Sequence, residues 1–399
     1  MVWIANKLIT ISRRVMKQLS KMMLAAVASV ALAAPAFAWD FSASGSSSAT
    51  FKQATVAPAT GDSTTTANFT SSAGGVTVSS SNSDGANSAT FSYTADWNGD
   101  AGNFDEYVSV SGSKKVGNWT ASSGTTQHLQ KDVTSAATAA PMTAGASAVI
   151  TLTDGSITYK LGDAAHLSTA EKTSGGPMAG AQDAEARVDS FNGFSVGMGV
   201  GPGTLTVALD MHSGVAATGL GENTGTVADT AMACGGQVTG FGLNFAGDVG
   251  ADLSFTYGSA SSTMSTSTCT GDNSTNAWAY NTMGLGVAVP VGGMTIALDY
   301  ESSATTSTAA KAENGIAQSG FELSLSMPVG DATAGFNVSS HSNTTTTAGT
   351  ALDPAVTAGT ELWYTVPIGA VSLSAGYGSS AVADGITTTE IGAEMSMSF

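Results

Sequence analysis

Apolar and polar residues alternate with a period of two through most of the second half of the chain. In FELSLSMPVGDATAGFNVSS, residues 321–340, Phe321, Leu323, Leu325 and Met327 share one side, and Ala332, Ala334, Phe336 and Val338 continue it. The other side carries Glu322, Ser324, Ser326, Thr333, Asn337 and Ser339. This pattern predicts two strands with one apolar and one polar face, joined by a tight turn at Pro328-Val329-Gly330. One hairpin cannot hide such a face by itself.

The plan recurs. MGLGVAVPVGGMTIALDY (283–300) turns at Pro290-Val291-Gly292-Gly293, and LWYTVPIGAVSLSAGY (362–377) turns at Pro367-Ile368-Gly369. Two earlier copies turn at Gly201-Pro202-Gly203 and Gly247-Asp248. Longer polar stretches follow each hairpin, at 213–237, 259–276, 302–314, 340–356 and 379–386. Short connections alternating with long ones are the mark of an antiparallel up-and-down barrel that crosses a membrane, with short turns at one rim and long loops at the other.

The predicted strands after residue 190 are 191–200, 204–212, 238–246, 249–258, 277–289, 294–301, 315–327, 332–340, 357–366, 370–378 and 387–399. Before it come 39–52, 66–80, 87–97 and a hairpin at 146–162 with an Asp154-Gly155 turn. These total 16 strands if 98–144 is one long loop. If FDEYVSVSGSKKVGNWTASS inside that stretch is itself a hairpin, the total is 18.

Composition agrees with an all-β chain: charged residues are only 11% and glycines number 48. Lys17 and Lys21 precede an apolar run, Met22 to Leu32, and Ala36-Phe37-Ala38 suits signal cleavage, so residues 1–38 read as an upstream extension plus signal peptide and 39–399 as one barrel domain. Residues 1–38 hold Lys7, Arg13, Arg14, Lys17 and Lys21 and no acid, so their removal takes the net charge from −17 to −22. Nucleic acid and anionic surfaces are poor partners for such a chain; cations are better ones. For Cys234 and Cys269, a disulfide between loops and two free thiols both fit.

The last strand, GITTTEIGAEMSMSF, alternates Ile391, Ala393, Met395, Met397 and Phe399. Together with the signal segment, it resembles the assembly signal of Gram-negative outer-membrane β-barrels. Residues 162–190 resemble the third loop of general porins, which folds into the barrel and narrows it. The resemblance implies a water-filled outer-membrane channel for passive diffusion of small hydrophilic solutes and ions. It also implies a homotrimer, contact with membrane lipid and lipopolysaccharide, and insertion by the barrel-assembly machinery. Candidate constriction residues are then Asp163, Glu171, Asp183, Glu185, Arg187 and Asp189, beside Lys172.

On the parity of each hairpin, Asp210, Asp252, Asp299, Glu301, Glu322, Glu361, Glu390 and Glu394 point into the lumen, with Lys52 and Lys160 among its few bases. Acidic walls concentrate cations, so a cation preference is expected. The porin-type arginine cluster has no counterpart here, since Arg187 is the only arginine after residue 38. Acidic loops also suit calcium, and no other cofactor is expected.

No enzyme is expected. Gly193-Phe194-Ser195-Val196-Gly197 matches G-x-S-x-G, but it lies along a strand and lacks the strand-turn-helix elbow. His128, His166, His212 and His341 show no metal-ligand spacing. The alternative function is a secreted or surface β-rich adhesin, built as a sandwich or solenoid and lacking channel activity.

Overall fold

Strict alternation needs every strand to lie between two others, and the chain satisfies this by closing on itself. The computed structural model describes residues 39–70, 74–98, 103–130, 149–167, 170–176, 178, 190–214, 236–264, 278–309, 312–347, 350–382 and 385–399. The segments are β1 (Asp40–Ala57), β2 (Thr64–Thr70), β3 (Gly74–Ser83), β4 (Asn87–Asn98), β5 (Asn103–Val116), β6 (Trp119–Gln130) and β7 (Val149–Thr153). There follow β8 (Ile157–Ala165), β9 (Ser190–Val200), β10 (Gly203–Gly214), β11 (Gly236–Asp248), β12 (Asp252–Met264), β13 (Trp278–Val291) and β14 (Met294–Ala309). The last are β15 (Ala312–Val329), β16 (Ala332–Thr347), β17 (Thr350–Ala351), β18 (Ala355–Ile368), β19 (Val371–Val382) and β20 (Thr387–Ser398).

All pairings are antiparallel, and β20 returns to β1 from Ser46↔Ser398 to Ala57↔Thr387. Both β2 and β3 pair with successive halves of β1, at Thr50↔Thr70 and Ser47↔Gly74. In the same way β17 and β18 both pair with β16. The 20 segments therefore make a closed barrel of 18 staves. The 16-strand count is corrected: β5 and β6 form a hairpin inside 98–144, joined through Gly117 (φ +63°). Eleven staves follow the 166–189 connection and seven precede it. A closed single sheet also replaces the sandwich and solenoid alternatives.

Strands outrun their apolar stretches. Predicted loops 302–314 and 340–356 are mostly strand: β14 and β15 stay paired up to Ala309↔Ala312, and β16 and β17 up to Thr347↔Thr350. The outward apolar run Phe321 to Val329 covers roughly 30 Å along β15 at about 3.3 Å per residue. A strand tilt of about 40° turns that into the height of the apolar band of a membrane barrel. Beyond it the outer face turns to small and polar residues, such as Ala317 and Ser319.

Turns at the rim nearest the chain ends are tight because glycine accepts left-handed backbone: Gly330 (φ +65°) and Gly369 (φ +67°) follow Pro328 and Pro367. In the β7–β8 turn, N–H bonds from Ile157 and Ser156 hold the Asp154 carboxyl below its ordinary value of 3.8. The stabilisation this gives is present above the ordinary carboxylate range and is lost as pH falls through the lowered value. Hydrogen exchange should accordingly show the Ser156 and Ile157 amides losing protection on acidification, relative to the rest of β8. Asp154→Ala should remove that pH dependence.

Candidate functional site

Register places the polar face of every stave inside. In β13, Met283 and Leu285 are exposed on the outer face while Thr282 is buried inside. Across the next three staves the inward row runs Asp299↔Glu322↔Ser339. Asn337 pairs with Glu361 on β18. Asp210, Asp299, Glu322, Glu361 and Glu390 are all buried.

What buries several of them is the connection after β8. Residues 166–178, apart from 168, 169 and 177, run as a strap along the inner wall. His166 starts it: its Nδ1 lies 2.7 Å from Ser195 Oγ on β9, and its Nε2 lies 3.0 Å from Gly162 O. Ala170 then crosses β13, where a Cβ at Gly286 would collide with the Ala170 carbonyl oxygen. Only a bare backbone lets the strap sit that low.

Two carboxylates grip the strap by its backbone. Lys172 N–H donates to Asp299 Oδ1 at 2.8 Å and Oδ2 at 2.9 Å, and Thr173 N–H donates to Oδ2 at 2.7 Å. Farther on, Gly176 N–H donates to Glu361 Oε2 at 2.8 Å and Met178 N–H to Oε1 at 2.9 Å. Between these grips the fully buried Asn337 donates from Nδ2 to Ser174 O at 2.7 Å and to Glu322 Oε1 at 3.2 Å. Charge-assisted bonds of this kind are the strong class, and they supply the partners that buried strap amides need. Met178 ends the run over β20, where a Cβ on Gly392 would approach its Cε to 2.9 Å.

Two ion pairs complete the wall. Lys172 Nζ reaches Asp252 Oδ1 at 2.9 Å, and Lys52 Nζ reaches Glu390 Oε1 at 3.0 Å. Asp252 and Lys52 are half open to the lumen, so their attraction is screened and worth little. Thr50 Oγ1 donates to Glu394 Oε2 at 3.0 Å. Glu301 faces inward beside Gly284, and Lys160 faces inward opposite Ser195. Asp163 lies in β8 and Glu171 is exposed on the strap. Asp183, Glu185, Arg187, Asp189, Cys234 and Cys269 lie outside the described residues, as does the 1–38 segment.

The wall half a turn from β14 is different. Its inner face is a ladder of paired hydroxyls, Thr77 with Thr94 at 2.9 Å, Ser88 with Ser113 at 2.7 Å and Ser109 with Thr126 at 2.8 Å. Within it Asp96 and Asp105 stand directly opposite one another on β4 and β5. Asp105 falls in the 98–144 stretch read as a loop, whereas Asp96 lies in the predicted strand 87–97 and was not among the expected lumen acids. The strap grips were also missed, because a carboxylate and its amide lie 126 to 185 residues apart.

Among the described residues, the His166–Ser195 contact is the one arrangement with the look of a nucleophile and base. Both side chains are buried, the second ring nitrogen faces a carbonyl rather than a carboxylate, and Ser195 sits mid-strand. It fastens the strap to β9. Among the described residues no group of three or more His, Cys, Asp or Glu side chains is placed to hold a metal ion.

A closed antiparallel barrel with an apolar outer band and a polar interior defines a multi-pass β-barrel of the Gram-negative outer membrane. No protein-family model matches the chain, and no curated protein matches it by sequence. Among solved structures, the anion-selective porin from Comamonas acidovorans is similar at 12% identity and a TM-score of 0.49, over 90% of this chain and 100% of its own. A loop-deletion mutant of OmpT, an outer membrane protein of Vibrio cholerae, is similar at 9% identity and a TM-score of 0.48, over 91% and 100%. The outer membrane channel DcaP of Acinetobacter baumannii is similar at 10% identity and a TM-score of 0.47, over 90% and 97%.

Proposed function

We propose that this chain is a general porin-like channel, water-filled and open to passive diffusion of small hydrophilic solutes and ions, with a preference for cations. One observation carries the reading: a closed 18-stave barrel has its internal strap pressed to one wall, leaving the facing hydroxyl wall to border an aqueous path. Barrels of this size enclose a water channel rather than a side-chain core. The described part of the strap, within 166–178, lies along the wall and narrows the path from that side.

Charge is distributed unequally along that path. Asp299 and Glu361 spend their oxygens on strap amides, and Asp252 shares its charge with Lys172. On the facing wall Asp96 is exposed to the lumen, with Asp105 directly opposite it, and in this reading these acids act on passing ions. Glu171 and the acids at 183, 185 and 189 add to them in this reading, and Lys160 opposes them. A homotrimer seated among lipopolysaccharide and inserted by the barrel-assembly machinery completes the proposal, with calcium a candidate ligand of the acidic loops.

Planar-bilayer recording tests it. Purified protein should give discrete channels whose reversal potential in a salt gradient has the sign of cation preference. Asp96→Asn with Asp105→Asn should move that potential toward zero with little change in conductance. Absence of channels would overturn the pore reading, and anion preference would overturn the charge argument alone.

A further inference from the structure

The middle of the strap rests on two buried side chains, and each holds a polar atom with nothing to bond. Trp363 on β18 points inward and is 8% exposed. Its indole lies on the bare backbone of Gly335 on β16, where a Cβ would run into Cε2, Cζ2 and Nε1. Gly176 of the strap passes over the other end of the same side chain, where a Cβ would collide with Trp363 Cβ and Cγ. Trp363 is therefore a prop between wall and strap, with a glycine on each side. Its Nε1–H is sealed from water and has no acceptor among the described residues.

Asn337, the inward residue next to Gly335 on β16, is 0% exposed. Its Nδ2 donates to Ser174 O and Glu322 Oε1, and because both of those accept, the carboxamide is fixed with Oδ1 turned away from them. That Oδ1 is also sealed and, among the described residues, without a donor. Buried polar groups are nearly always paired, so two exceptions beneath one short stretch of strap need a physical reason.

The stretch above them is able to move. Ser174 and Gly175 are exposed to the lumen between the two carboxylate grips, and Gly175-Gly176 can absorb backbone changes that other residues resist. Raising residues 174–176 leaves the Asp299 bonds to Lys172 and Thr173 and the Glu361 bond to Met178 in place. It breaks two neutral bonds, Asn337 Nδ2 to Ser174 O at 2.7 Å and the long one from Ser174 N–H to Ser324 Oγ at 3.4 Å. Water replaces both, and it also reaches Trp363 Nε1 and Asn337 Oδ1. Two bonds exchanged against two stranded groups hydrated leaves the two positions close in free energy.

We propose that residues 174–176 have two positions, one seated on Trp363 and one raised into the lumen with water beneath, and that the stranded indole N–H favours the exchange between them. The raised position narrows the path, a consequence that rests on the channel reading above; the movement itself does not.

Deuterium exchange of the Trp363 indole proton reads the movement by NMR in folded, isotope-labelled protein in detergent micelles, the resonance being the one absent from Trp363→Phe. That proton meets solvent only when residues 174–176 rise. Gly176→Ala, whose Cβ has no room in the seated position, should exchange about tenfold faster than the parent. Gly175→Ala, whose Cβ meets only ordinary contacts at 3.9 Å, stiffens the hinge and should exchange roughly two- to fivefold slower. Heat-modifiable migration checks folding, and Gly175→Ala decides alone if Gly176→Ala fails that check. Equal exchange in the parent and Gly175→Ala overturns the proposal. In planar bilayers Trp363→Phe keeps a ring and loses the stranded donor, so time spent at a lower conductance level should fall about tenfold; unchanged occupancy would remove the indole N–H from the account. Slower exchange in Gly175→Ala without currents in any variant would sink the pore and leave the two-position strap standing.

Discussion

Replacing Asp299 and Glu361 together by alanine should lower mean single-channel conductance and fill the recordings with rapid flicker. These carboxylates accept the N–H groups of Lys172, Thr173, Gly176 and Met178, and without them the strap loses both of its backbone grips. Each of those donors that stays away from water costs roughly 1–3 kcal/mol when its acceptor is removed. The strap can escape that cost only by lifting into the lumen. Asp252→Ala is the contrasting variant: it frees the Lys172 ammonium and touches no strap amide, so the smaller change is expected there. Planar-bilayer records of the two variants settle the matter, and an Asp299→Ala, Glu361→Ala channel indistinguishable from the parent would show that the strap is held by other means.

Gly45→Leu should abolish barrel closure in most of the chain, a larger effect than any single lumen substitution. Gly45 and Phe399 exchange two backbone bonds across the closing seam, at 2.8 and 2.9 Å, and the Phe399 ring packs against the bare Gly45 backbone. A Cβ on Gly45 would come within 2.8 Å of Phe399 Cε2 and 2.9 Å of the Gly75 carbonyl. Heat-modifiable migration after refolding reads the closed fraction. Adding Phe399→Ala to Gly45→Leu should restore part of it, because the ring clash goes while the Gly75 contact stays. No recovery in the double variant would mean that the ring is not what Gly45 accommodates. Met395 and Met397, exposed on the same outer face of β20, share the seam with Ala49 and Ser47.

Most of the barrel was legible in residue order, and its failures have one physical cause. Hairpins such as 321–340 declare themselves because lipid on one side and water on the other force a contrast at every step. Where both faces are polar that contrast vanishes. The upper halves of β14 and β16 read as loops because Ser and Thr line both of their faces above the apolar band. The β5–β6 hairpin was absorbed into a loop for the same reason, since the outward face of β6 is Ala121, Ser123, Thr125 and Gln127.

Inward orientation of the acids was equally local information, set by parity along each strand. Their partners were not. Asp299 meets Lys172 N–H 127 residues away and Glu361 meets Gly176 N–H 185 residues away, distances over which sequence carries no pairing signal. By itself the order of residues determined an antiparallel barrel with an apolar outside, a polar inside and tight glycine turns at one rim, because period-two patterning and turn chemistry act between near neighbours. Only the tertiary structure decided that there are 18 staves, that the strap lies against the β9–β20 wall, and which acids are bound to it. Those outcomes depend on the seam from β1 to β20 and on carboxylates meeting amides across the lumen, contacts that exist only once the sheet has closed.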